Sequence, residues 1–166
     1  MDKGKLVPDD VICPIVENRL NRPDCRDGAI LDGFPRTIAQ AQFLDGMLER
    51  TGFGEPLVLN IQVDTDAVIK RLTGRRTCEI CGEIYNVYMN PPRLQGVCDK
   101  DGGKLTQRED DNEDAIRIRL KAYEEDTLPL IEYYRQKNAL RQVDGSEAPE
   151  AITERLLGLV KTHDYL

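Results

Sequence analysis

Apolar residues at Val11, Ile12, Ile15, Val16 and Leu20 recur at steps of one, three and four, the spacing of a helix with one buried face. Pro8 stands where such a helix would start, and Pro14 inside it predicts a kink. The pattern then changes: AILDG (29–33) is a short apolar run closed by Asp and Gly, which predicts a brief buried strand. TIAQAQFLDGMLERTG (37–52) returns to helical spacing, with Thr37 and Gln40 placed as in a capping box and Gly52 suited to the far end. LVLNIQV (57–63) predicts a second buried strand, followed by a helix around DAVIKRL. From 74 to 111 the periodicity gives way to Gly, Pro, Cys and Asp, the signature of an inserted minidomain. Helical spacing resumes from about Asn112 to Lys137, interrupted at Pro129, before a third strand at LRQVDG (140–145) and a last helix over 149–161. Strands alternating with helices imply an α/β fold, a parallel sheet covered on both faces.

A chain of 166 residues suits one ordinary domain with a small insert. Aromatic residues make up only 5 % and Trp is absent, so aliphatic side chains must do most of the packing. A net charge of −7 argues against non-specific binding to nucleic acid, where lysine and arginine dominate. No apolar run approaches the roughly 20 residues of a membrane span, and the opening MDKGKLVPDD is too polar for a signal peptide. The expectation is a cytoplasmic, reducing setting, in which five cysteines do not form a disulfide framework.

Three of those cysteines carry a stronger signal. Cys78-Glu-Ile-Cys81-Gly and Cys98-Asp-Lys-Asp101-Gly are separated by sixteen residues, the spacing of a zinc ribbon with a carboxylate in the fourth position. Asp101 matches the two-residue gap of the first pair, whereas Asp99 does not. Chance thiols in a loop are the bland alternative, and a catalytic zinc is another, because an Asp ligand exchanges more easily than a thiolate. Four protein ligands close the coordination sphere, which favours a structural zinc at Cys78, Cys81, Cys98 and Asp101. Cys13 and Cys25 read as packing or surface cysteines.

Cations are concentrated locally in this acidic chain. Lys70, Arg71, Arg75 and Arg76 fall within seven residues; Arg108 closes the insert, Arg117 and Arg119 follow it, and Arg36 stands at the first strand-to-helix turn. A solvated face accounts for any one of them. As a set bracketing an insert they point to phosphate, which guanidinium forks bind at two points and at every working pH. Ligands of parallel sheets collect at strand carboxyl ends, where Asp32, Arg36 and Asp144 would lie beside the positive end of the helix starting near Thr37. His163 is the only histidine and lies near the end of the chain, which removes a His-based nucleophile.

LDGFPRT (31–37), LTGRR (72–76) and the cysteine cluster ending in TQREDDNEDAIRIRL (106–120) together resemble a bacterial adenylate kinase with a zinc-bearing lid, over almost the whole chain. The resemblance implies a P-loop-NTPase-like parallel sheet core with an inserted zinc-binding lid, divided into core (1–73, with 1–7 ending an AMP-binding arm), lid (74–111) and core (112–166). It implies a nucleoside monophosphate kinase acting in nucleotide homeostasis, interconverting ATP plus AMP with two ADP and using Mg²⁺ with ATP beside the zinc. Lys5, Leu6, Val7, Gly33, Phe34, Pro35, Arg36 and Gln40 would bind AMP, Arg36 at its phosphate and Gln40 at the adenine edge. Arg71 and Arg75 would hold the phosphates of ATP, Ile84 and Tyr85 would line its base, and Gln142 would offer its backbone to the adenine. Arg108 and Arg119 would bind the phosphates being joined or parted, and Asp32 would orient the water shell of Mg²⁺. Arg36, Arg75, Arg108, Arg119 and Asp32 form the expected catalytic set, with the lid closing over ATP to exclude water. Asp110 and Asp111 would pair with lid arginines when phosphate is absent.

One part of the family's pattern has no counterpart here. The Gly-Lys pairs at 4–5 and 103–104 are each followed by Leu and lack the upstream glycine of G-x-x-x-x-G-K-[ST]. The resemblance therefore leads us to expect that the first strand and phosphate loop are absent from these 166 residues, and that the sheet has a gap with unpaired backbone and exposed apolar surface. A truncated sequence, a split enzyme and a non-catalytic zinc- or nucleotide-binding remnant all fit, and impaired activity is expected of this polypeptide alone. Another acceptor nucleotide remains an alternative to AMP. No nucleic-acid or membrane partner is expected, and the completed protein is expected to be a monomer.

Overall fold

The computed structural model describes residues 7–163. It contains two compact units, one taking in the chain up to Gln62 and from Lys121 onward, the other Val63–Leu120. Lys5 and Leu6 lie outside the described residues.

The first unit begins with α1 (Asp9–Leu20), whose acidic first turn suits the positive end of the helix. The helix passes through Pro14 unbroken and buries Cys13, Val16 and Leu20. Val11 and Ile15, expected on the buried face, are 48 % and 57 % exposed. The face that packs on α2 (Ile38–Thr51) is set by Ile12, Val16 and Leu20 meeting Leu44 and Met47, so the stripe is narrower than the apolar pattern suggested. Helix α2 starts on Thr37, whose side chain accepts the Gln40 amide at 3.1 Å, and ends on Gly52 in the left-handed region. Its other side carries Ile38 and Ala41 against α5 (Pro129–Gln136) and the sheet, in a cluster with Val58, Leu130, Tyr134, Ala139 and Leu140. Helix α5 stops where Asn138 takes a positive φ of 57°, and the Ala139 amide reaches back to the Tyr134 carbonyl.

The sheet of this unit is parallel and has two strands, β1 (Val58–Gln62) and β5 (Leu140–Asp144), in register from Val58 opposite Leu140 to Gln62 opposite Asp144. The 29–33 segment is not a strand, contrary to its apolar pattern. It runs without ladder pairing, with Ile30 98 % and Leu31 38 % exposed. An extended apolar run becomes a strand only when a neighbour presents its own backbone, and none does so among the described residues. Strand β1 is half buried at Val58–Asn60 and exposed at Ile61 and Gln62. The backbone at 29–33 is unpaired among the described residues, and Ile30 and Ile61 are exposed. Helix α6 (Pro149–Lys161) packs beside β5.

The second unit opens with α3 (Thr65–Gly74), capped by Asp64, whose carboxylate accepts the Asp66 and Ala67 amides. A three-stranded antiparallel sheet follows, β3 (Ile84–Asn86) beside β2 (Arg75–Cys78) beside β4 (Leu105–Thr106). A 3₁₀ turn at Glu109–Asp111 leads into α4 (Glu113–Ala122). No helix among the described residues is long and apolar enough to cross a membrane.

Candidate metal centre and phosphate-binding residues

Cys78, Cys81, Cys98 and Asp101 converge so that their ligand atoms all lie within 4.8 Å of one another. Two turns of the same construction bring them there. In the first, the Ile80 amide donates to Cys78 Sγ, the Gly82 amide to the Cys78 carbonyl and the Cys78 amide to the Glu83 carbonyl. In the second, the Lys100 amide donates to Cys98 Sγ, the Gly102 amide to the Cys98 carbonyl and the Cys98 amide to the Gly103 carbonyl. Gly82 and Gly102 take φ values of 74° and 75°, which side chains rarely adopt. Asp101 therefore occupies the place in its turn that Cys81 occupies in the first.

The donor set fits zinc. Tetrahedral Zn²⁺ with bonds of about 2.3 Å to sulfur has sulfur–sulfur edges of about 3.8 Å. Cys81 Sγ and Cys98 Sγ are 3.7 Å apart, and Cys78 Sγ is 3.3 Å from Asp101 Oδ1. Hydrogen bonding from the Cys81 thiol, then from the Gly103 amide, holds the Asp101 carboxyl well below the usual carboxylate range. Asp101 in turn pushes the Cys81 thiol up to about 12. Burial opposes ionisation of Cys98, yet Tyr85 and the Lys100 and Asp101 amides bring its thiol below the ordinary value. Gly103 closes the cradle, since a Cβ there would lie 2.7 Å from Cys78 Sγ and 3.0 Å from Asp101 Oδ1. Gly103→Ala is accordingly expected to weaken zinc binding by about ten- to a hundredfold, read by competition with a chromogenic chelator.

The arginines divide between the two units. In the first, Gly33 (φ 71°) turns the chain so that Arg36 Nε donates to the Gly33 carbonyl at 2.7 Å; a Cβ on Gly33 would stand 2.7 Å from Arg36 Nη2. Phe34 anchors this turn by packing on the α1–α2 core, beside a half-buried Pro35. Gln40 is 3 % exposed and fully engaged: its Oε1 accepts the Arg36 amide at 2.7 Å and its Nε2 donates to Asp9 Oδ1 at 2.6 Å. The Thr37–Gln40 spacing thus delivers half of a capping box, with the glutamine reaching the residue before the cap. Asp9, which also meets the Thr37 hydroxyl at 3.4 Å, carried no sequence signal beyond a helix start. Asp32 and Gln142 are exposed, at the end of the 29–33 segment and on β5, and Val7 is partly buried.

In the second unit Arg75 grips Asp111 with two parallel bonds, Nε to Oδ2 at 2.8 Å and Nη2 to Oδ1 at 2.6 Å. Asp111 is fully buried, and its hydrogen bonding raises the already high pKa of Arg75. Asp110 lies between two more guanidinium groups, 3.1 Å from Arg108 and 3.3 Å from Arg119. Both carboxylates are thus paired with arginines, Asp111 with Arg75 and Asp110 with Arg108 and Arg119. Arg71 is exposed on the last turn of α3, while Arg76 is spent on the Thr73 and Arg75 carbonyls. Arg117 pairs with Glu113 one turn away on an exposed face. Ile84 is 61 % exposed, but the Tyr85 side chain is in the core of the minidomain, its hydroxyl accepting the Asp99 amide at 2.9 Å.

A parallel α/β core and a second unit built around a zinc-type ligand cluster define an α/β protein with a small inserted minidomain. Residues 1–139 match the adenylate kinase family. Over 161 residues the chain is 48 % identical to an adenylate kinase of Thermodesulfovibrio yellowstonii, covering 97 % of this chain and 75 % of that protein. It is 47 % identical over 161 residues to one of Archaeoglobus fulgidus, with 97 % and 74 % covered. The value for one of Bacillus subtilis is 49 % over 147 residues, with 89 % and 68 % covered. The chain belongs to the adenylate kinase family, a group of nucleoside monophosphate kinases.

Proposed function

We propose that the chain catalyses transfer of the γ-phosphoryl group of ATP to the phosphate of AMP, in the cytoplasm and as a monomer. A phosphate oxygen of AMP forms the new bond to phosphorus as the bond to the β-phosphate oxygen of ATP breaks, giving two ADP. Little covalent help is needed, so catalysis rests on alignment and on cancelling charge. Arg36 meets the AMP phosphate from a turn built by Gly33, Phe34 and Pro35. Gln40 would read the adenine edge by exchanging its bond to Asp9 for one to the base, and Lys5, Leu6 and Val7 are assigned to AMP by the same reading. Arg71 and Arg75 take the ATP phosphates, while Arg108 and Arg119 take the group in transit. Ile84 supplies apolar surface for the ATP base, Tyr85 contributes through its main chain, and the Gln142 backbone meets the adenine. Mg²⁺, its water shell oriented by Asp32, neutralises phosphate charge when bound. Cys78, Cys81, Cys98 and Asp101 hold zinc as a structural ion in the lid, residues 74–111, with 1–73 and 112–166 as core.

The observation that carries this reading is the carboxylate of Asp110 held between Arg108 and Arg119, because two guanidinium groups already converge there on one pair of anionic oxygens. Phosphate presents the same oxygens with more charge. A coupled assay of ADP formation across AMP, GMP, CMP and UMP tests it, with AMP the preferred acceptor and Arg36→Ala lowering the AMP-dependent rate by about a hundredfold or more. Equal use of all four acceptors would discard AMP, and an unchanged rate in Arg36→Ala would discard the arginine's role. The 166 residues contain no G-x-x-x-x-G-K-[ST] loop, so this polypeptide assayed alone is expected to turn over slowly.

A further inference from the structure

The turn that carries Arg36 is tied down from far away in sequence. Pro129 has no amide proton, and its ring crowds the carbonyl four residues back, so the α-helical bond to Glu125 is missing where α4 gives way to α5. The chain answers with a single π turn over Tyr123–Thr127, closed by the Leu128 amide donating to the Tyr123 carbonyl at 2.8 Å. One extra residue in a helical path rotates everything after it by about 100°. Thr127, the last residue of this turn, donates its hydroxyl to the Arg36 carbonyl at 2.9 Å, across 91 positions of sequence. The Arg36 amide is already held by Gln40, and Gln40 by Asp9. Both main-chain polar groups of Arg36 are therefore fixed from outside its own turn.

We propose that Thr127, presented by the π turn, is a positioning residue for Arg36 and, through it, for the phosphate of the acceptor nucleoside monophosphate. The inference rests on the reading of Arg36 as the acceptor-phosphate ligand. Clamping the amide and the carbonyl fixes the direction in which the Arg36 side chain leaves the backbone. Less freedom is then lost when the guanidinium engages phosphate. Threonine suits the task because its branched Cβ restricts the hydroxyl to few rotamers.

Equilibrium binding of AMP and of ATP to the full chain tests this. Thr127→Val removes the donor and keeps the shape, so AMP affinity falls about three- to tenfold while ATP affinity stays within twofold, and Thr127→Ser restores AMP binding. In the Arg36→Ala background, Thr127→Val produces no further loss, which a merely structural role would not give. If Thr127→Val does not fold, Thr127→Ala and Thr127→Ser carry the same comparison. An Arg36→Ala protein that loses AMP while Thr127→Val binds it normally overturns the inference and leaves the reading of Arg36 standing. Indifference of AMP binding to Arg36→Ala overturns that reading and the inference with it.

Discussion

Chelating the zinc proposed at Cys78, Cys81, Cys98 and Asp101 is expected to abolish hydrogen-exchange protection across residues 75–106 while α1, α2 and α5 stay protected. The sheet around the four candidate ligands has little else to hold it. Its strands contain four, three and two residues, short of what independent sheets need. Its buried cluster is Cys78, Tyr85, Cys98 and Leu105, so two of four core side chains are themselves candidate ligands, and the Tyr85 hydroxyl lies 3.5 Å from one of them, Cys98 Sγ. Structural zinc contributes on the order of 10 kcal/mol to such units, about two to three times what two buried side chains supply. The helical unit draws on separate clusters around Leu44–Met47 and Ala41–Tyr134 and should not notice the loss. Metal analysis should give one zinc per chain, and Cys98→Ser should reproduce the chelated state. Full protection of 75–106 in metal-free protein would remove zinc as the organiser of this unit.

Much of this centre was legible because its determinants are local. Cysteine spacing and the glycine after each pair dictate two short turns, and each turn is complete within six residues. Helix α2 was legible for the same reason, its cap and its left-handed stop both lying next to the apolar pattern. The 29–33 segment went the other way. Its apolar run carries the composition of a strand, but pairing is a property of two segments, and Ile30 stands open to solvent. The buried face of α1 was misjudged at Val11 and Ile15, because periodicity marks which residues share a face and packing on α2 decides how wide that face is.

The arginines show the same division. Their types and clustering pointed to phosphate, yet nothing in the spacing separates Arg75, which grips a buried carboxylate, from Arg76, which binds main-chain carbonyls next door. Tyr85 likewise reads as a site residue from its motif, while its side chain serves the core of the minidomain. The ties from Asp9 to Gln40 and from Thr127 to Arg36 cross 31 and 91 positions of sequence, beyond the reach of any local pattern.

Asp111→Ala is expected to destabilise the protein by about 3–5 kcal/mol in denaturant unfolding, far more than Asp110→Ala, at less than about 1 kcal/mol. Both carboxylates pair with arginine, and burial separates them. Asp111 has no exposed surface and Arg75 keeps 24 %, whereas Asp110, Arg108 and Arg119 keep 47 %, 57 % and 40 %. Removing Asp111 leaves a guanidinium with two donors facing a space that water reaches poorly, and the cost is that of the stranded charge rather than of a lost contact. Replacing both partners should therefore recover stability: Arg75→Met in the Asp111→Ala background is expected to unfold at higher denaturant than Asp111→Ala alone. The buried pair should also keep its coupling at 1 M salt, where charges about 3 Å or more apart in solvent are screened and the Asp110 pairs fade. The Asp111 main chain gives a further reason for a large effect. Its amide bonds the Arg108 carbonyl at 3.1 Å and its carbonyl accepts Gln107 Nε2 at 2.9 Å, so disturbing Asp111 shifts the turn from which Arg108 projects. An Asp111→Ala protein within about 1 kcal/mol of the unaltered chain would show that water, and not Arg75, is the partner the carboxylate meets in solution.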